Sequence, residues 1–164
     1  MRKRYAFLLI GLLSLVTLFV MLSGAAMAQP RPMAEDVYTP IIKGYDFMRE
    51  GKYDAAQEQF AIALKKDTFN PFALNNLATL MEKKGKMKEA MAYLVDAQKH
   101  AKDYLDKVEQ TCFVGGLCAG VKPVKAVGTT SAIATVIAEN MQKLQAKMAT
   151  TPSAPEPSTP PKMK

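Results

Sequence analysis

Between Gly44 and Ala97 small and large apolar positions recur in a fixed order, and the order occurs twice. Gly51 is answered by Gly85, Ala56 by Ala90, Phe60 by Leu94 and Ala63 by Ala97, each pair 34 positions apart, with Gly44 and Ala78 in the same register. A fixed period of this size marks a stacked helical repeat. Within each unit the apolar residues fall at helical spacing. A first helix is predicted from Thr39-Pro40, a capping residue followed by proline in the first turn, through Ile41, Gly44, Tyr45, Phe47 and Met48 to Glu50. A second runs from about Tyr53 to Lys66 with Ala56, Phe60, Ala63 and Leu64 on one face. Asn70-Pro71 repeats the cap and proline, and a third helix carries Leu74, Leu77, Ala78 and Met81. A fourth carries Ala90, Leu94 and Ala97 and continues past Lys99. Gly51 and Gly85 permit the tight turns. Small residues at 44, 56, 63, 78, 90 and 97 let helix axes approach, and larger ones at 47, 53, 60, 77, 81, 87 and 94 fill the space between them.

A third unit does not follow. One more step of the same period from Gly85 and Ala90 lands on Ala119 and Val124, where Lys122-Pro123 interrupts any helix. About three neighbouring units are needed to bury a continuous core, so the rest of the chain is expected to supply the missing layer. The helix after Ala97 is expected to extend through Tyr104, Leu105 and Val108 to about Thr111 as a capping helix, which makes residues 40–111 one unit. Residues 112–128 read as a cysteine-containing loop that ends in a linker around Pro123. Residues 129–149 read as an amphipathic helix, with Ile133, Ile137, Met141, Leu144 and Met148 in a stripe, Val136 and Asn140 beside it, and Glu139, Gln142, Lys143 and Lys147 on other faces. Docking on the repeat is the expected use of this stripe; the alternatives are dimerisation and occupation of the repeat's groove. Residues 150–164 are rich in Pro, Ser and Thr and read as a disordered tail.

The N-terminus has another purpose. Arg2, Lys3 and Arg4 precede an uncharged run from Ala6 to Leu22, and Ala26-Met27-Ala28 offers the small-x-small pattern of a signal peptidase site. Residues 1–28 are therefore expected to be a signal peptide cleaved after Ala28, which makes the protein periplasmic or secreted. The alternative is an uncleaved anchor facing the periplasm, and only then is the membrane a contact. Residues 29–39, with Pro30 and Pro32 and bounded by Pro40, read as a flexible leader. The formal net charge is +7, and without the three basic residues of the N-terminus it falls to +4. No basic run of the nucleic-acid-binding type remains. Lys83, Lys84, Lys86 and Lys88 read as a solvated junction.

Candidate chemistry is sparse. There is one histidine, His100, read as a solvated helix residue, and there are two cysteines. Cys112 and Cys118 flank Gly115-Gly116, and in an exported chain they read as one disulfide. With His100 they make a poor zinc set. Met81, Met87 and Met91 are scattered like gap-filling core residues rather than a thioether cluster for copper. No nucleophile–base pair, metal set or phosphate loop can be assembled, so neither catalysis nor a cofactor is expected.

Gly44, Phe47, Gly51, Tyr53, Ala56, Phe60 and Ala63, followed by Leu77, Ala78, Gly85, Ala90, Leu94 and Ala97, carry a resemblance. Over about Val37–Asn70 and Pro71–Tyr104 the chain resembles the tetratricopeptide repeat (TPR) family. It departs from that pattern where Pro40 and Leu74 replace the opening aromatic and where Thr68 and Lys102 replace the closing proline. The fold class implied is all-α: a short α-α superhelix of two TPR-like helical hairpins, a capping helix and an extra C-terminal amphipathic helix. The resemblance implies peptide or protein binding, with the first helix of each unit lining a concave groove. By spacing, that face is Ile41, Tyr45, Met48 and Arg49 in the first unit and Phe72, Asn75, Asn76, Thr79, Glu82 and Lys83 in the second. An extended segment lying across both would set an apolar side chain on Tyr45 and Met48 and hydrogen-bond its backbone to Asn75 and Asn76. The expected function is an interaction adaptor in the cell envelope. The alternative is a structural subunit that forms a homo-oligomer through its C-terminal helix.

Overall fold

The computed structural model describes residues 32–150. The signal segment, the first residues of the leader and the tail beyond Thr150 lie outside the described residues. Five helices and one two-stranded sheet make up the described fold: α1 (Glu35–Arg49), α2 (Tyr53–Lys66), α3 (Pro71–Lys83), α4 (Met87–His100), β1 (Asp106–Phe113), β2 (Ala119–Val127) and α5 (Ala132–Thr150). A single 3-10 turn, Ala101–Asp103, joins α4 to β1. The fold is mostly helical, and the all-α expectation is corrected by the hairpin.

The two helix pairs follow the spacing of the apolar residues. α1 packs on α2 and α3 on α4. The connections turn at Gly51 and Gly85, whose φ angles of 78° and 74° are left-handed and suit glycine. Ala56, Phe60 and Ala63 of α2 and Ala90, Leu94 and Ala97 of α4 are buried, one stripe per helix. α3 begins as its cap predicts, with the Asn70 side-chain oxygen accepting from the backbone N–H groups of Phe72 and Ala73 at 3.1 Å each. Every residue from Pro71 to Glu82 is buried. A helix covered on all sides is a central element, and α3 is that element: it touches α2, α4, β2 and α5.

Three expectations about the connecting segments are corrected. The leader ends sooner than predicted, because α1 starts at Glu35 and runs through Pro40. Met33 and Val37 are buried and anchor this extra turn to the core, and Glu35 and Asp36 complement the positive end of the helix dipole. Pro40 is the sixth residue of this helix, inside it, and removes the N–H that would otherwise bond to Asp36 O. The capping helix does not reach Thr111. Helical structure stops at Asp103, and the chain from Asp106 is a strand. Tyr104 leaves the helix with its hydroxyl donating to the Asp67 carboxylate at 2.8 Å. Residues 112–128 are no loop either, since most of them form the end of β1 and all of β2. The strands pair antiparallel with Cys112 opposite Gly120 and Thr111 opposite Val121. Pro123 is accommodated opposite Val108, beside an irregularity between Val108 and Gln110 that leaves Glu109 unpaired as a bulge.

α5 is the outer cover. Ser131 caps it, accepting from the Ala134 N–H at 3.2 Å while its own hydroxyl donates to Ala101 O at 2.6 Å. Ile133, Ile137, Asn140 and Leu144 are buried, and the helix docks on α4, α3 and both strands. Replacing Leu144 by alanine is expected to lower the unfolding free energy by about 2–5 kcal/mol in urea titration, with a single transition. A change near zero would make α5 an appendage instead of a wall of the core.

Candidate functional site: a helical groove filled by the chain's own strand

The face predicted as a groove exists as a lined surface, and strand β2 lies in it. β2 rests on α1 and α3. Ile41, Tyr45 and Met48 of α1 are buried, as are Phe72, Asn75, Asn76, Thr79 and Glu82 of α3. Arg49 and Lys83, at the ends of the two helices, are exposed. The structure thus brings the eight buried members together and leaves the two cations at the rim. What the pattern did not foresee is that the occupant belongs to the same chain.

Asparagine amides hold the occupant. The Asn76 Nδ2 donates to Val121 O at 2.9 Å, and the Val121 N–H donates to Asn76 Oδ1 at 2.7 Å. Asn140, reaching in from α5, repeats the motif on Ala119. Its Oδ1 accepts from the Ala119 N–H at 2.8 Å and its Nδ2 donates to Ala119 O at 2.9 Å. Asn75 Nδ2 donates to the same carbonyl at 2.8 Å, and Asn75 Oδ1 accepts from Asn140 Nδ2 at 2.8 Å. Glu82 Oε2 accepts from the Cys118 N–H at 2.7 Å, while its other oxygen meets Lys147 Nζ at 3.5 Å. A carboxamide can donate and accept at once, so it can replace a missing neighbouring strand at one residue. Among the described residues no buried side-chain nitrogen or oxygen lacks a partner.

Close approach completes the fit. At Gly120 the Met48 side chain occupies the space where any larger residue would place its Cβ. The strand lies that close to α1. Lys122 Nζ reaches Asp46 Oδ1 at 3.7 Å, and Arg49 Nη1 reaches Gln110 Oε1 at 3.5 Å.

The disulfide expected between Cys112 and Cys118 is not formed in this structure, where both are free thiols. Cys112 pairs across the ladder with Gly120 rather than Cys118, and its thiol lies beside the Tyr45 hydroxyl on α1. Cys118 Sγ faces Asn140 O of α5 at 4.0 Å. The two thiols are held by different helices. Burial pushes the Cys118 thiol up to about 12, with the Glu82 carboxylate adding to the effect. Burial also raises Cys112, against the opposing pull of Tyr45 and Arg49. A nucleophilic cysteine needs the reverse, a stabilised thiolate. His100 stacks on Phe69 with ring centroids 4.5 Å apart. Among the described residues no group of three or more His, Cys, Asp or Glu side chains is placed to hold a metal ion, and no helix is long and apolar enough to cross a membrane.

The residues that spacing did not assign to the site are Ala119, Val121, Cys118 and Asn140. Asn140 carried a signal, being an amide beside an apolar helix stripe, where burial demands a hydrogen-bond partner. The strand carried one too, in the β-branched and aromatic residues Val108, Thr111 and Phe113 followed by Gly115-Gly116. Comparison of the chain with protein-family models, with curated proteins and with solved structures returned no match.

Two predictions follow from this geometry. Asn76→Ala strips the partners from two buried backbone groups of Val121 and is expected to destabilise the fold by about 2–5 kcal/mol, with the Val121 amide losing its protection in hydrogen exchange. Retained protection would show that the amide pair contributes nothing. The second concerns pH. The Cys118 thiol titrates near its ordinary value of 9.0 in the unfolded chain but at about 12 when folded. The stability linked to it is therefore complete below about pH 9 and is lost as pH rises towards 12. Cys118→Ala is expected to flatten, in part, the alkaline fall of the urea midpoint; burial also raises the Tyr45 and Tyr104 hydroxyls, so some slope persists. An unchanged slope would contradict the assignment.

Proposed function

We propose that this protein is a non-catalytic interaction module of the TPR type, exported to the cell envelope, that binds a protein or peptide partner with surfaces outside its own filled groove. The observation that carries the reading is the set of amides from Asn75, Asn76 and Asn140 on the backbone of β2. A helical surface that grips extended backbone in this way is built for holding polypeptide, and here the first polypeptide it holds is its own. The repeat spacing of residues 44–97 and the resemblance it carries supply the TPR half of the proposal, and the sequence of residues 1–28 supplies the export half.

The competing reading, oligomerisation through the C-terminal helix, is less well supported. Ile133, Ile137 and Leu144 are fully buried within one chain, which leaves that helix no free apolar stripe to offer a second copy.

Photo-crosslinking in the producing cells tests the proposal. A benzophenone amino acid placed singly at the exposed positions Ile62, Val95 and Phe113 is expected to give discrete higher-mass adducts from at least one of them. At buried Phe72 it is expected to give none. No adduct from any surface position would overturn the interaction reading, and a strong adduct at Phe72 would show that the groove opens to a partner.

A further inference from the structure

A two-stranded sheet has two outer edges, and here they are treated differently. The Val121 and Ala119 N–H and C=O groups all point away from β1, into the asparagine amides. In an antiparallel ladder the residues opposite them then also turn their backbone groups outward. Those residues are Thr111 and Phe113. Among the described residues nothing hydrogen-bonds to the outward groups of either. Both residues are exposed, and Phe113 is 61 % accessible although it is a large apolar side chain. The bulge at Glu109 interrupts the register on one side, so the evenly registered open edge is short, running from Gln110 to Phe113.

The two faces beside this edge each carry a hollow. On the α5 side a hollow of about 680 Å³ opens between Gly115, Gly116, Leu117 and Ala146. On the α1 side one of about 390 Å³ opens between Met48, Tyr53 and Val114. Successive side chains of a strand point to opposite faces, so a strand added to this edge would send alternate side chains towards the two hollows. Two cations flank the edge, with the exposed carboxylate of Glu109 at its other end. Lys143 lies over the Phe113 ring at 5.7 Å, and Arg49 reaches Gln110 beside it. Nearby Glu82 is buried and committed to the Cys118 N–H, and Glu50 is paired with Lys52 at 2.8 Å.

We propose that the outer edge of β1 at Gln110–Phe113 is a docking site for a short extended segment of a partner protein, one that carries both an apolar side chain and a carboxylate on each of its two faces and adds as a third strand. Main-chain hydrogen bonds to Thr111 and Phe113 supply affinity, and the carboxylates meet Lys143 and Arg49. This proposal rests on the interaction reading above and gives it a place. A second copy of the chain fits less well, since it would set the same cations against themselves.

The test uses the chain from Gln29 onward, which contains every described residue. The probe is a capped peptide of about eight residues in which pairs of valines alternate with pairs of glutamates, so that each face carries both, and its lysine counterpart is the control. Binding is followed by amide chemical shifts and hydrogen exchange. The acidic peptide is expected to shift and protect the Thr111 and Phe113 amides, and the lysine peptide to bind at least tenfold more weakly. Thr111→Pro removes an N–H that the ladder does not use. It is expected to abolish binding with little change in Tm. If that variant does not fold, Phe113→Glu takes its place and is expected to weaken the acidic peptide at least tenfold. Unperturbed amides at 110–113, or binding that survives in the folded variant, would overturn the proposal. So would a dimer in light scattering that Thr111→Pro dissociates, because a second copy would then cover the edge. Cellular adducts at Ile62 or Val95 with none at Phe113 would leave the interaction reading standing and remove this site alone.

Discussion

The carboxamide of Asn76 on the backbone of Val121 is the interaction on which the arrangement depends. Laying a strand edge into a helical groove removes its N–H and C=O groups from water, and each one left unpaired costs about 1–3 kcal/mol. A helix cannot offer backbone partners, because its own are used internally. Side chains must do it, and only a carboxamide matches both a donor and an acceptor of one residue without adding charge. Asn76 does so from α3 and Asn140 from α5, with Asn75 bridging between them. Apolar residues at these three positions would leave the strand with nothing to replace water.

The same requirement explains why the segments after the repeat belong to its core. Two helical pairs leave one face of α1 and α3 uncovered, and repeat arrays need caps. Here the cap is a hairpin that cannot stay without Asn140, and Asn140 is delivered only if α5 docks. α5 in turn is held by the burial of Ile133, Ile137 and Leu144 and by the Ser131 hydroxyl on Ala101 at the end of the last repeat helix. Hairpin, α5 and repeat are therefore coupled, which is the physical reason for expecting one cooperative transition.

The legible parts of the fold are those in which a residue's neighbours are close in sequence. Gly51 and Gly85, the Asn70 cap and the stripes of α2 and α4 all stand where spacing puts them, because helix turns and caps are local. Tyr104, Leu105, Val108 and Thr111 were misleading for the same reason: they satisfy a helical period as well as part of a strand pattern, and the choice is made by distant groups such as Asp67 and the amides of α3 and α5. The groove residues show the limit most clearly. Periodicity identifies which side chains share a face of α1 and α3, and it even identifies Asn75 and Asn76 as groups able to bind extended backbone. It carries no information about whether that backbone comes from another molecule. The cysteines show the same limit: proximity in sequence suggests a bond, whereas the strand register sets Cys112 opposite Gly120 and leaves both thiols free.

The unequal treatment of the two sheet edges bears on function more than the filled groove does. An exposed strand edge is a liability that proteins ordinarily blunt with lysine, proline, a bulge or a cover. This chain uses all of its amide clamps on β2 and adds Pro123 there. On β1 it uses one bulge, at Glu109, and beyond it leaves Thr111 and Phe113 bare with an aromatic ring facing solvent. A merely structural hairpin would gain from a blocking residue at 111 or a polar one at 113, and neither change would disturb the ladder, since the outward N–H groups take no part in it. The sealed edge is what stability requires of this fold. The open one is left unexplained by stability, and the docking proposed for it would account for it.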